Sequence, residues 1–245
     1  MRFRITLTWG LPPIWGFVRY IVRDPIAFLG RAAMDVICWS YDVEELEDDE
    51  LFRAGMEALP WEERKGKVER LRFGKDRRLS LGAGLLCAWT LGRAGVTDLE
   101  LALGPHGKPK LAREANVHFN LSHSGTIALC AVSDESVGAD VQELHANDAG
   151  IARICYTAAE QRWIAAQDDT DWAFTRLWAR KESYLKLLGT GLSKDALSFE
   201  AMPGASPEEG VEFCESERPG HAICVCTRAG GPVEFADAPS RFWMA

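Results

Sequence analysis

Trp178-Ala179-Arg180-Lys181-Glu182-Ser183-Tyr184-Leu185-Lys186 sets a carboxylate and two ammonium groups among apolar residues in one short stretch. At 3.6 residues per turn, Trp178, Glu182 and Lys186 stand four apart and share one face of a helix. Leu177, Lys181, Tyr184 and Leu188 share the neighbouring face. Gly189 and Gly191 end the helix. A solvated surface helix would use Glu182 and Lys186 as an ion pair adding about 0.2–0.5 kcal/mol. A helix laid over a cleft would use the same groups as acid and base. The remaining stretches decide between the two.

Upstream, Val137-Gly138-Ala139-Asp140-Val141-Gln142 alternates with period two, so Val137, Ala139 and Val141 face one side of a strand and Gly138, Asp140 and Gln142 the other. An acid inside a hairpin strand is costly unless it is paired or binds a metal. Before it, His118-Phe119-Asn120-Leu121-Ser122-His123-Ser124-Gly125 runs into an apolar strand, Thr126 to Val132. Gly104-Pro105-His106-Gly107-Lys108-Pro109-Lys110 reads as a turn that holds two lysines stiff and exposed. Further back, Met34 to Tyr41 reads as a first strand. Leu51 to Leu59 reads as a helix closed by Pro60, and Ser80 to Leu91 as an apolar core helix.

Downstream, Ile151 to Ala166 is helical, with Thr157 as cap and Glu160 three residues on. Leu192 to Phe199 and His221 to Cys226 read as strands, with Pro203, Pro207 and Pro219 in the loop between them.

The one strongly basic segment runs from Arg64 to Arg78, including Lys65, Lys67, Arg70, Arg72, Lys75 and Arg77. A charge run of this kind is either a solvated helical face or a phosphate clamp. The chain as a whole carries 36 acidic against 28 basic residues, which argues against broad nucleic-acid binding, because that needs a basic face to displace counterions. Seven cysteines in apolar runs, with no Cys-x-x-Cys pair, read as reduced, buried thiols of a cytoplasmic protein. Residues 1–33 differ from the rest: arginines punctuate apolar segments, Pro12-Pro13 interrupts them, and the uncharged run Ile5 to Val18 is too short to span a bilayer. They read as an N-terminal extension or an upstream start. His106, His118, His145 and His221 read as ordinary histidines.

Four separated pieces, Gly107-Lys108-Pro109, Phe119-Asn120-Leu121-Ser122-His123-Ser124, Val137-Gly138-Ala139-Asp140-Val141 and Trp178-x-x-Lys181-Glu182-x-x-x-Lys186, resemble in their order the 4′-phosphopantetheinyl transferases of the long, monomeric type named for the surfactin-synthetase activator. The resemblance spans Met34 to Phe235. It implies a pseudo-dimer of two similar α+β halves, 34–143 and 144–245, with the active site at their interface and residues 1–33 outside the match. It implies transfer of the phosphopantetheine arm of coenzyme A to a serine of an acyl or peptidyl carrier protein of fatty-acid, polyketide or nonribosomal-peptide synthesis. It makes Asp140 and Glu182 the ligands of Mg²⁺, with Mn²⁺ the other hard candidate. Ser122 and His123 would hold the pyrophosphate, Lys108 and Pro109 the nucleotide end, and Lys65 and Lys67 further phosphate oxygens. Glu182, directly or through water, or Lys186 would take the serine proton.

The commoner family strand reads Asp-x-Glu, whereas this one reads Asp140-Val141-Gln142. A glutamine offers an amide oxygen or holds a water but brings no charge, so Gln142 implies a higher metal requirement. Glu143 falls on the opposite face unless a bulge intervenes. Two other readings compete. A coenzyme A or carrier-binding module of the same fold without catalysis is supported by Gln142 alone. A metal-dependent nuclease is disfavoured by the acidity of the chain.

Overall fold

The computed structural model describes residues 36–104, 106–113, 116–190 and 196–244. The extension 1–33, the helix stop at Gly191 and the first part of the strand expected from Leu192 lie outside the described residues. The chain runs β1 (Val36–Asp42), α1 (Asp49–Ala58), α2 (Glu62–Arg70), α3 (Gly74–Arg93), β2 (Leu101–Leu103), β3 (Pro109–Leu111), β4 (His118–Ser124), β5 (Ile127–Ser133) and β6 (Val137–Glu143). It continues through α4 (Ala149–Cys155), α5 (Ala158–Ala165), α6 (Thr170–Leu188), β7 (Glu212–Arg218), β8 (His221–Thr227) and β9 (Val233–Asp237).

Two sheets form the centre, one ordered β4-β5-β1-β9 and the other β6-β8-β7, with β2-β3 a separate pair. All pairings are antiparallel except β1 with β9. Alternation along each strand sorts the side chains into layers. On β1 and β5, Tyr41, Ala128 and Cys130 pack under α3 with Leu81 and Leu85, while Val36, Cys38, Ile127, Leu129 and Ala131 turn the other way. There they meet Val137, Ala139 and Val141 of β6 and Ile223 and Val225 of β8. The opposite face of β8 packs Ala222 and Cys224 against Ala179 of α6. The result is helix, sheet, sheet, helix, with three apolar seams. Each fully buried Leu or Ile side chain in them adds about 1.5–3 kcal/mol.

Local signals explain the helix ends. Thr157 and Glu160 close a reciprocal capping box at the start of α5. Asp169 caps α6 by accepting from the Trp172 amide, and Gly189 ends that helix in the left-handed conformation, φ 68°. The alternation expected for Val137 to Gln142 holds, but β6 is no hairpin partner of β5. It leaves the first sheet and pairs with β8, at Asp140 opposite Cys224. The part of the expected strand from Leu192 that is described, Ala196–Ser198, is a 3-10 turn. β7 escapes sequence reading because Glu212, Glu215, Glu217 and Arg218 break its apolar pattern. All seven cysteines are free thiols, five buried and Cys155 and Cys214 half-buried. Among the described residues no helix is long and apolar enough to cross a membrane.

Candidate active site

α6 crosses β6 with glycine at the contact. A Cβ on Gly138 would lie 2.0 Å from the Ser183 carbonyl oxygen and 2.3 Å from the Leu187 amide nitrogen, so the helix backbone rests directly on the strand. That approach brings Lys186 onto Asp140, which projects from the same face of β6. Lys186 Nζ lies 2.6 Å from Asp140 Oδ1 and 2.9 Å from Ser122 Oγ. Ser122 Oγ also donates to Asp140 Oδ1 at 2.7 Å and accepts from the Val141 amide at 3.3 Å. A hydroxyl has one proton to give and two lone pairs, so Ser122 is fully occupied in holding Asp140 and Lys186.

Asp140 is 4% exposed, and its second oxygen, Oδ2, is buried with no hydrogen-bond partner among the described residues. Burial pushes its carboxyl above the usual range, opposed by Lys186 and Ser122. Glu182, half-buried one turn before Lys186, is also raised, first by burial and then by the charge of Asp140. Two acids each raised by burial, one of them also by the charge of the other, with one oxygen left without a donor, are what a hard cation would relieve. The residues therefore fit a divalent ion held by Asp140 and Glu182. Gln142 stands on the same face of β6 and supplies an amide oxygen. Among the described residues no group of three or more His, Cys, Asp or Glu side chains is gathered for a metal.

The two lysines of the decisive stretch divide their labour. Lys181, 1% exposed, donates to the carbonyls of Ala196 at 2.6 Å and Phe199 at 2.8 Å and pairs with Glu160 at 2.9 Å. Glu160, 0% exposed, also accepts from the Thr157 and Ala201 amides. Lys181 is thus a structural cation tying α6 to α5, whereas Lys186 meets Asp140.

Lys108 corrects the expectation of an exposed loop lysine. Its ammonium donates to Val137 O at 2.9 Å and to Lys186 O at 2.7 Å, satisfying a carbonyl of the last turn of α6. Burial, reinforced by Lys186, lowers it to about 8. Lys108 and Pro109 line a cavity of about 430 Å³ with Lys110, His118, Leu187 and Gly189.

His123 faces away from Ser122, toward α2. Desolvation by the surrounding chain, then the charges of Arg64, Lys186 and Lys67, hold its imidazole below the ordinary histidine range. Lys65 Nζ instead binds Glu62 at 2.7 Å. Within the basic segment, then, the groups gathered at His123 are Arg64 and Lys67, one turn apart on α2. Arg64 donates from Nε to Ser80 O, in a space that exists because Gly84 has no side chain. Sequence reasoning missed Arg64, although its i, i+3 relation to Lys67 was the available signal.

Residues 136–234 match the family model of the 4′-phosphopantetheinyl transferase superfamily. Over 190 residues the chain is 28% identical to the 4′-phosphopantetheinyl transferase psf-1 of Bacillus pumilus, covering 71% of this chain and 82% of that protein. It is 28% identical to the 4′-phosphopantetheinyl transferase Sfp of Bacillus subtilis (strain 168), over 64% of this chain and 72% of that one. To the 4′-phosphopantetheinyl transferase AcpT of Escherichia coli O157:H7 it is 32% identical, over 57% of this chain and 75% of the relative.

Proposed function

Because the chain belongs to the 4′-phosphopantetheinyl transferase family, whose members move the phosphopantetheine arm of coenzyme A to a carrier protein, we propose that it does so with Asp140, Glu182 and Lys186 as its working groups and Mg²⁺ as its metal. The observation that carries this reading is the Asp140 carboxylate. It is buried, bound on one oxygen by Ser122 and Lys186, and left without a donor on the other among the described residues.

A divalent ion on Asp140 and Glu182, with Gln142 or water completing its shell, would neutralise charge on the pyrophosphate. His123, with Arg64 and Lys67 beside it, receives phosphate oxygens, and Lys108 and Pro109 border the cavity for the nucleotide end. Lys108 keeps one of its three protons free of the two carbonyls it binds. Lys65 is held by Glu62 and plays the smaller part. The carrier serine gives its proton to Lys186 or, directly or through water, to Glu182. Lys186 can accept it only as the neutral amine and Glu182 only as the carboxylate, and adenosine 3′,5′-bisphosphate leaves as the serine oxygen bonds to phosphorus. Phosphoryl transfer leaves little covalent work to the protein, so positioning and charge carry the rate.

The halves meet at this site. Strand order β4-β5-β1 is matched by β7-β8-β6, and each sheet carries one long helix, α3 or α6. This supports a duplicated unit working as a monomer. On this division β6 belongs with the second unit, so the seam falls before Val137, earlier in the chain than the boundary at residue 144.

The full chain, incubated with an apo carrier protein, coenzyme A and Mg²⁺, should raise the carrier's intact mass by one phosphopantetheine. Asp140→Ala, Glu182→Ala and chelator should each abolish the gain. No gain on several carriers at high Mg²⁺, with coenzyme A still bound, would establish the non-catalytic binding module instead.

A further inference from the structure

β6 is an edge strand, because among the described residues only β8 pairs with it within its sheet, and its outer amides need partners from elsewhere. β4 provides them with side chains in place of backbone. The Ala139 amide donates to Asn120 Oδ1 at 2.8 Å, the Val141 amide to Ser122 Oγ at 3.3 Å and the Glu143 amide to Ser124 Oγ at 3.0 Å. Each pair is 19 residues apart in sequence, so β4 and β6 advance in the same direction in one register. A slip of one residue would move Asp140 by about 3.3 Å and turn it to the other face.

The three rungs are unequal. Ser122 makes the longest of them and shares its oxygen with Asp140 and Lys186. Ser124 lies at the exposed end. Asn120 is buried, makes the shortest rung, and grips the residue immediately before Asp140. Its carbonyl oxygen takes the Ala139 amide, and among the described residues it makes no hydrogen bond to Asp140, Glu182 or Lys186.

We propose that Asn120 is a positioning residue of the transferase: its side-chain carbonyl takes the Ala139 amide, fixes β6 against β4, and so holds the Asp140 carboxylate on Ser122 and Lys186. The inference rests on the transferase reading above and concerns how this chain prepares its metal-binding acid. The partners that orient metal-holding groups change metal affinity or activity by about 10–100-fold when removed.

The test uses full-length wild type, Asn120→Ala, Asn120→Ser, whose hydroxyl is too short for the same reach, and Asn120→Asp, which keeps the acceptor. Mn²⁺ affinity is read from the paramagnetic resonance of the free ion with coenzyme A present. The Mg²⁺ concentration for half-maximal transfer and the KM for carrier are measured beside it. Asn120→Ala and Asn120→Ser should weaken Mn²⁺ binding and raise the Mg²⁺ requirement by about 10–100-fold, with the carrier KM unchanged, and Asn120→Asp should recover both. If the alanine variant does not fold, the serine variant carries the test. A folded variant that loses only thermal stability, with wild-type Mn²⁺ affinity and Mg²⁺ requirement, overturns the proposal. Wild type that loads no carrier, while the variants still lose Mn²⁺, overturns the transferase reading and leaves the positioning role standing.

Discussion

Lys186 Nζ stands 2.6 Å from Asp140 Oδ1, so the lysine proposed as proton acceptor is, in its ammonium form, the counter-ion of the acid proposed to hold metal, and it accepts a proton only as the neutral amine. The sequence pairs Lys186 with Glu182, four residues earlier on the same helix. The fold pairs it across the seam between α6 and β6, where Asp140 is buried and an isolated charge would be far more costly. Several outcomes depend on how that seam is built.

Gly138→Ala places a methyl group 2.0 Å from the Ser183 carbonyl oxygen, and neither backbone can yield locally. Overpacking of this kind costs about 1–3 kcal/mol or more. The melting temperature should fall, and transfer should fall further than stability explains, because Glu182 and Lys186 move off β6 together. A variant with wild-type melting and turnover would contradict the direct helix-on-strand contact.

Lys181→Met leaves Glu160 buried without its cation, at a cost of about 3–5 kcal/mol. The double variant Lys181→Met with Glu160→Gln should recover part of that loss. A denaturation cycle on the four proteins measures the coupling, and strict additivity would mean that the pair is not an energetic unit.

Glu182→Gln should abolish transfer yet stabilise the protein at pH 7. Burial raises the folded carboxyl above its unfolded value, so the folded state binds that proton more tightly. The associated stability is complete below the unfolded value and is lost as pH rises through the folded one. At pH 7, above the unfolded value, Glu182 therefore weighs against folding relative to a neutral amide, and near pH 4 it does not. Melting curves should separate variant from wild type at pH 7, by about 2–4 °C for each kcal/mol relieved, and converge toward pH 4. A stabilisation that is larger at pH 4 contradicts the shift.

Coenzyme A binding should take up protons at pH 7. His123 is held below its ordinary range by desolvation and by Arg64, Lys186 and Lys67, so the free protein carries it largely neutral. A phosphate beside it reverses that balance. Calorimetry in buffers of different ionisation enthalpy measures the uptake, which His123→Gln should remove. Unchanged uptake in that variant would separate His123 from the phosphates.

Gln142→Glu adds a carboxylate on the face that carries Asp140. Transfer at low Mg²⁺ should be kept or increased, and the concentration for half-maximal rate should fall. A collapse in turnover would remove Gln142 from the metal's surroundings.

The sequence by itself determined the helix through Trp178 to Lys186 with its two faces, the alternation that aims Asp140 away from Val137, Ala139 and Val141, and the capping pair Thr157 and Glu160. It also grouped Asp140, Glu182 and Lys186 in one site through the order of four motifs. These are local or pattern-borne properties, set by 3.6-residue and two-residue periods and by side chains that satisfy nearby backbone. Only the tertiary structure decided that β6 joins β8, that Lys181 is spent on Glu160 while Lys186 meets Asp140, and that Lys108 is buried against the end of α6. It also turned Arg64 and Lys67, in place of Lys65, toward His123. The physical reason is that a charge's partner is chosen by the burial it suffers, and burial arises only when strands and helices distant in sequence close over it.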